Sequence, residues 1–137
     1  PGAAGPVALS RAQLGKKIFV TNCATCHQLN GQGVPNQFPP LAGSEWVQGN
    51  DERIIRIVLH GLSGPITVEG KEYNNVMTAV GATLKDDQIA NVLSYVRQEW
   101  GNKAPDVEPE TVAKVRTETA GRTTAWTAAE LKQIGHD

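Results

Sequence analysis

Cys23-Ala24-Thr25-Cys26-His27 is the stretch on which the reading of this chain turns. It holds the only two cysteines in 137 residues and one of the 3 histidines. The pattern is C-x-x-C-H, the attachment signal for a c-type haem. Two thiols at this spacing can each bond one vinyl group of the same porphyrin as thioethers. The histidine that follows is then placed under the iron as an axial ligand. Two other uses of C-x-x-C compete. A zinc site needs two more ligands at matching spacing, and only His60 and His136 remain among the histidines. A thioredoxin-like redox pair belongs between a strand and a helix, and the segment before Cys23 reads as helical.

That preceding helix is signalled locally. Ser10 is a good N-cap, and Gln13 is placed to complete a capping box. Leu14, Ile18 and Phe19 recur at helical spacing, so a helix is predicted from about residue 10 to Asn22. Residues 28–45 are rich in glycine and proline and form a long loop, which inside a compact domain is usually functional. Asn50 can cap a helix over 51–60 that turns Ile54, Ile55, Val58 and Leu59 inward and stops at Gly61. Ile66 to Tyr73 alternates around Glu69-Gly70, which fits one short hairpin. Thr83 or Asp86 can open a third helix, with Ile89, Val92, Leu93 and Val96 on one face and Gly101-Asn102 as its stop. Beyond it, a short helix is predicted over 109–118, and Thr127 can cap a last one over 128–134. The organisation expected is a flexible lead-in (1–9), a main domain (10–102) and a partly helical C-terminal extension (103–137).

A low-spin haem iron needs a sixth ligand. Met77 is the only methionine, and it falls in a loop just before the last core helix. Its thioether is a soft ligand that favours ferrous iron and raises the potential. Most methionines are core gap-fillers, but the haem motif and its uniqueness set Met77 apart. His60, at the end of a helical apolar face, suits a role at the helix C-terminus. His136 lies one residue from the end of the sequence. Trp46 can either donate its indole N–H to a haem propionate or serve as a covering aromatic.

Composition narrows the function. Net charge is −1, from 13 basic and 14 acidic residues, so nothing favours nucleic acid or an anionic membrane as partner. Only 39% of residues are apolar and 5% aromatic, and a haem would supply much of the missing core. No run approaches the roughly 18 apolar residues that span a bilayer. The stretch Pro1-Gly-Ala-Ala-Gly-Pro6 fits a processed N-terminus, a linker or a boundary equally well.

Beyond the haem motif, the sequence resembles the class I cytochrome c family. Gly15-Lys-Lys-Ile-Phe19-Val20 is similar to that family's first helix, and Gly15, Phe19 and Tyr95 match the glycine and aromatics at its helix crossing. Pro39-Pro40-Leu41-Ala42-Gly43 resembles the family's Pro-x-Leu-x-Gly turn. The resemblance implies that the Pro39 carbonyl accepts a hydrogen bond from His27, fixing its tautomer, and that Leu41 packs on the porphyrin. Leu59-His60-Gly61, Gly64-Pro65-Ile66-Thr67-Val68, Tyr73-Asn74 and Met77 look closer to the bacterial monohaem domains that accompany quinoprotein dehydrogenases, copper nitrite reductases and terminal oxidases. One departure is Thr78, where that branch usually has proline.

The resemblance implies an all-α cytochrome c fold around one covalent haem c. His27 and Met77 would be the metal ligands, and Cys23, Cys26, Pro39, Leu41 and Trp46 the other haem-binding residues. It also implies an electron-transfer protein and not an enzyme, in the periplasm or facing it. Its partners would be a donor dehydrogenase and an acceptor oxidase or reductase of a respiratory or dehydrogenase chain. Expected rim residues are Gln32, Val34, Val76, Thr78, Ala79 and Val80, mostly small and uncharged, suiting a transient contact of the small redox-encounter class. Two alternatives stay open: a haem domain of a larger enzyme, and a ligand-binding or peroxidase-like haem should Met77 dissociate.

Overall fold

Ser10 opens the first helix as its chemistry dictates. In the structure, a computed structural model that describes residues 9–135, the Ser10 side chain accepts from Gln13 N–H, and Gln13 Oε1 accepts from Ser10 N–H at 2.8 Å. Helix α1 (Arg11–Asn22) runs into the short α2 (Ala24–His27), which carries the C-x-x-C-H residues. A four-residue α3 (Glu45–Gln48) follows, capped by Ser44. Nothing in the 28–45 loop announces it beyond that serine. Helix α4 (Asp51–His60) is capped by Asn50 and buries Ile54, Ile55, Val58 and Leu59, with Ile57 and Arg56 also buried. Strands β1 (Ile66–Val68) and β2 (Lys71–Tyr73) form the short antiparallel hairpin, with Ile66 opposite Tyr73.

Helix α5 (Asp86–Gln98) takes Lys85 as its N-cap, a residue with no acceptor to offer the first turn. Gln88 makes this possible, because its side-chain oxygen accepts from Lys85 N–H at 2.9 Å. In the extension, α6 (Pro109–Glu118) occupies the expected span, and Thr127 caps α7 (Ala128–Leu131), which ends three residues short of expectation. The lead-in over 1–8 and His136 lie outside the described residues.

The crossing of α1 with α5 is the architectural joint. A Cβ at Gly15 would collide with the Asn91 carbonyl and the backbone of Val92, so glycine lets the helices touch main chain to main chain. Phe19, fully buried, meets Tyr95 at 5.5 Å and Trp100 at 5.2 Å between ring centroids, and Tyr95 meets Trp100 at 5.6 Å. These are the tilted and edge-on arrangements that aromatic quadrupoles favour, each adding about 0.5–1.5 kcal/mol beyond burial.

The extension shares this core. Val107, Val112 and Val115 are fully buried in the cluster built by α1, α4 and α5. Val112 and Val115 do not share a cluster with Trp126 and Leu131. Leu131 and Trp126 belong to a second cluster with Ile57, Leu62, Ile66, Val68 and Tyr73. The two valines lie on the α6 face that meets α4 and α5, whereas the chain after α6 turns back toward the hairpin.

Candidate haem site

The C-x-x-C-H residues, the 37–41 turn, α4, the hairpin, the 75–80 loop and α5 enclose one cavity of about 250 Å³. Cys23, Cys26, His27, Pro39, Leu41, Trp46 and Met77 all line it. The structure therefore brings together residues that span more than fifty positions of sequence. His60 is not among the lining residues. Its Nε2 lies 2.7 Å from Thr119 Oγ1, at the end of α4 where the sequence placed it.

His27 is buried at the end of α2, and its Nδ1 lies 3.1 Å from the Pro39 carbonyl oxygen. A carbonyl only accepts, so Nδ1 must carry the proton and donate. The Nε2 lone pair is then left for a metal, and the ring orientation is set from behind. Burial lowers the His27 pKa, with the Pro39 hydrogen bond opposing it, so the neutral imidazole that a metal requires is favoured.

Neither cysteine is in a disulfide. Burial, and secondarily the neighbouring Cys26, pushes the Cys23 thiol up to about 11. A redox dithiol works through a lowered thiol pKa, so this environment opposes a thioredoxin-like use of the pair. No group of three or more histidine, cysteine, aspartate or glutamate side chains that could hold a metal ion occurs among the described residues.

The turn bearing Leu41 is locked by Asn102. The Asn102 amide nitrogen donates to the Leu41 and Val96 carbonyls at 3.0 and 2.8 Å, and its oxygen accepts from Gly43 N–H at 2.8 Å. In the sequence Asn102 signals only a helix stop, and its bonding to a loop sixty residues away has no local trace. On the opposite wall, Met77 pairs with Leu62 in an antiparallel bridge, and Val80 N–H donates to the Val58 carbonyl at 2.9 Å. At the mouth, Asn75 donates to the Gln37 carbonyl at 3.0 Å, tying the two loops together.

Trp46 lines the cavity, but its indole N–H donates to the Thr67 carbonyl at 2.8 Å. Tryptophan has one donor, so the propionate bond offered from sequence gives way to a tie between α3 and the hairpin. Of the rim residues, Val76, Thr78 and Val80 line the cavity, whereas Gln32, Val34 and Ala79 do not. Val76 stands 69% exposed at the edge.

These residues fit a covalent haem. The walls are overwhelmingly apolar (Leu41, Val47, Ile54, Val58, Leu93 and Val96 among them), two thiols sit at one side, and a nitrogen and a sulfur donor line the same space. The comparisons with known proteins agree. The family model "Cytochrome c" matches residues 12–100. Cytochrome c-552 of Thermus thermophilus is 42% identical over 138 residues, covering 96% of this chain and 91% of that protein. The cytochrome c subunit of a quinone alcohol dehydrogenase from Gluconacetobacter polyoxogenes is 36% identical over 74% of this chain and 22% of its own length. The FixP subunit of a cbb3-type cytochrome c oxidase from Bradyrhizobium sp. is 41% identical over 66% of this chain and 31% of its own length. The chain belongs to the cytochrome c family, and it is an electron carrier of the kind that holds haem c covalently.

Proposed function

We propose that this chain carries one haem, bound through Cys23 and Cys26, with His27 and Met77 as the two axial ligands. The observation that carries the reading is the shared cavity: both thiols, the Pro39-oriented imidazole and the only thioether line one apolar space. When bound, the haem supplies reversible one-electron chemistry at its iron. The protein's part is to hold, orient and shield. His27 presents Nε2 because Pro39 fixes Nδ1–H. Met77 supplies a soft donor that favours the reduced state and raises the potential. Leu41, Ile54, Val58 and Leu93 keep water from the interior face. With both axial positions taken, no site is left for substrate, which suits transfer and not catalysis.

The 10–102 segment serves as the haem-binding unit, and the C-terminal extension, as far as residue 135, is strapped onto it. Electrons pass at the mouth near Val76 and Thr78, an uncharged edge that supports brief, weakly steered encounters. The partners are a dehydrogenase on the donor side and an oxidase or reductase on the acceptor side. The dehydrogenase and oxidase subunits among the relatives support this. The site of action is the periplasm or its face, where haem is attached to bacterial c-type cytochromes, and a place in a respiratory chain follows from it. Among the described residues no helix is long and apolar enough to cross a membrane.

Visible spectra and intact mass test this directly. Protein matured with a competent attachment system should gain the mass of one haem and show sharp reduced bands with a weak far-red sulfur band when oxidised. Haem without that band removes Met77 as a ferric ligand. Carbon monoxide bound at neutral pH by the reduced protein would favour the ligand-binding alternative that Thr78 raises.

A further inference from the structure

The extension reaches the site from behind. Residues 61–63 run as one segment with partners on both edges. On one edge Leu62 N–H donates to the Met77 carbonyl at 3.1 Å, and Met77 N–H donates to the Leu62 carbonyl at 2.9 Å. On the other, Trp126 N–H donates to the Gly61 carbonyl at 2.9 Å, and Ser63 N–H donates to the Trp126 carbonyl at 2.8 Å. Leu62 is thus the middle rung of a three-stranded patch, antiparallel to Met77 and parallel to Trp126. Gly61 sits at φ +86°, and a Cβ there would lie 2.6 Å from the Met77 carbonyl oxygen, so the approach to the Met77 main chain tolerates no side chain.

Side chains reinforce the patch. Trp126 is 8% exposed and shares a cluster with Leu62, Ile66 and Leu131, against which Met77 also packs. The Trp126 indole N–H is buried without a hydrogen-bond partner, so packing holds the ring. The Arg122 guanidinium lies over it at 3.6 Å and is anchored in turn by the Glu130 carboxylate.

Resting on the reading of Met77 as axial ligand, we propose that Trp126 is a positioning residue for Met77. The extension clamps the Leu62 segment, and that segment holds the Met77 backbone. The physical need is plain in the loop itself. Asn74, Asn75, Val76, Thr78 and Ala79 are all exposed, and Thr78 lacks the fixed φ a proline would supply. A two-stranded pair standing alone is marginal, and a ligand on a segment that opens locally is lost as often as the segment opens. A third strand on the far edge suppresses that opening.

The test uses the full-length, haem-loaded protein. Trp126→Pro removes both the ring and the N–H that reaches Gly61. It should weaken the far-red sulfur band, lower the reduction potential, and raise the affinity of the ferric protein for imidazole about tenfold, since the competent open state is more populated. Amides of Leu62 and Met77 should exchange faster while those of α5 keep their protection. Trp126→Ala keeps the main-chain bonds and should shift imidazole binding the same way by a smaller factor. Adding Thr78→Pro to Trp126→Pro should restore the band. Val112→Ala loosens α6 in the main core, and it should lower stability without altering imidazole affinity. A wild type with the sulfur band whose band, potential and imidazole affinity ignore both Trp126 substitutions overturns this role alone. A wild type without the band overturns the ligand reading, and this role with it.

Discussion

The side chain of Asn102 holds the Leu41 turn at two points and ties it to α5, with its nitrogen 3.0 Å from the Leu41 carbonyl and 2.8 Å from the Val96 carbonyl, and its oxygen 2.8 Å from Gly43 N–H. Asn102 is 4% exposed, and its bond to the Val96 carbonyl is fully buried. Replacing it with alanine leaves the Leu41 and Val96 carbonyls and the Gly43 amide without that partner. Buried groups left unpaired cost about 1–3 kcal/mol each, partly recovered by relaxation. Asn102→Ala should therefore lower unfolding free energy by about 2–4 kcal/mol in denaturant titrations. Exchange at the Gly43 amide should rise more than exchange in α5. A loss below about 0.5 kcal/mol, the usual size of a surface substitution, would show the turn to be held by other means.

Gly15→Ala tests the helix joint. In an exposed helix this change is favourable by roughly 1 kcal/mol. Here the added methyl meets the Asn91 carbonyl, and backbone cannot rotate away as a side chain can. The helices must separate, which also disturbs the contact of Phe19 with Tyr95 and Trp100. Overpacking of this kind costs about 1–3 kcal/mol. The expected result is a lower unfolding midpoint with altered near-ultraviolet dichroism from the aromatic trio. A midpoint at or above that of the wild type would mean the crossing is looser than the structure has it.

The contrast between these two residues explains what the sequence made legible. Gly15 and Phe19 stand beside a covalent motif of fixed spacing, and helix periodicity places them on one face. Ser10, Asn50 and Thr127 announce their helices because capping is local chemistry. The hairpin was legible for the same reason, since alternation and the Glu69-Gly70 turn lie within eight residues. Asn102, Leu62 and Trp126 act through partners that no local pattern names. Trp46 shows the same limit from the other side: its place on the cavity wall was readable, but the carbonyl that takes its N–H belongs to a strand twenty-one residues on. The short α3 escaped because one turn of helix has no period to detect. The separation of Val112 and Val115 from Trp126 depends on which way the chain turns after α6, which is a tertiary fact.

His60 predicts a pH dependence with a definite sign. Its pKa is lowered by burial first, then by the charges of Arg122, Arg116 and Arg56. Those arginines come from α4, α6 and the segment after α6, and the hydroxyl facing Nε2 is that of Thr119, which itself donates to the Val115 carbonyl at 2.8 Å. With that hydrogen committed, Nε2 donates to Thr119. The unfolded chain takes up a proton near the usual 6.5, before the folded protein does. Stability from the neutral ring is therefore complete above that value and declines as pH falls through it. The readout is the difference between wild type and His60→Gln, because other groups titrate in both. Between about pH 7 and 5 the wild type should lose more stability than the variant, and parallel curves would remove His60 as the cause.

The last prediction concerns how the extension is fastened at its start. Ser94 is fully buried in α5, and its hydroxyl accepts from Val107 N–H at 2.9 Å. Val107 is itself fully buried among the core side chains. Ser94→Ala would keep the helix and nearly the same volume, but would leave a main-chain donor in the core with no acceptor, at a cost of about 1–3 kcal/mol. Arg97, also buried, offers no rescue: a guanidinium only donates, and its N–H groups go to the Val47, Gly49 and Pro105 carbonyls. The effect should be largest where the extension begins. Limited proteolysis should cut Ser94→Ala between residues 103 and 108 sooner than it cuts the wild type, while Asn102→Ala is attacked first near the 39–43 turn. If both variants were cut at the same place and rate, the extension and the Leu41 turn would open together as one unit, and the strap would be no less stable than the haem-binding domain it crosses.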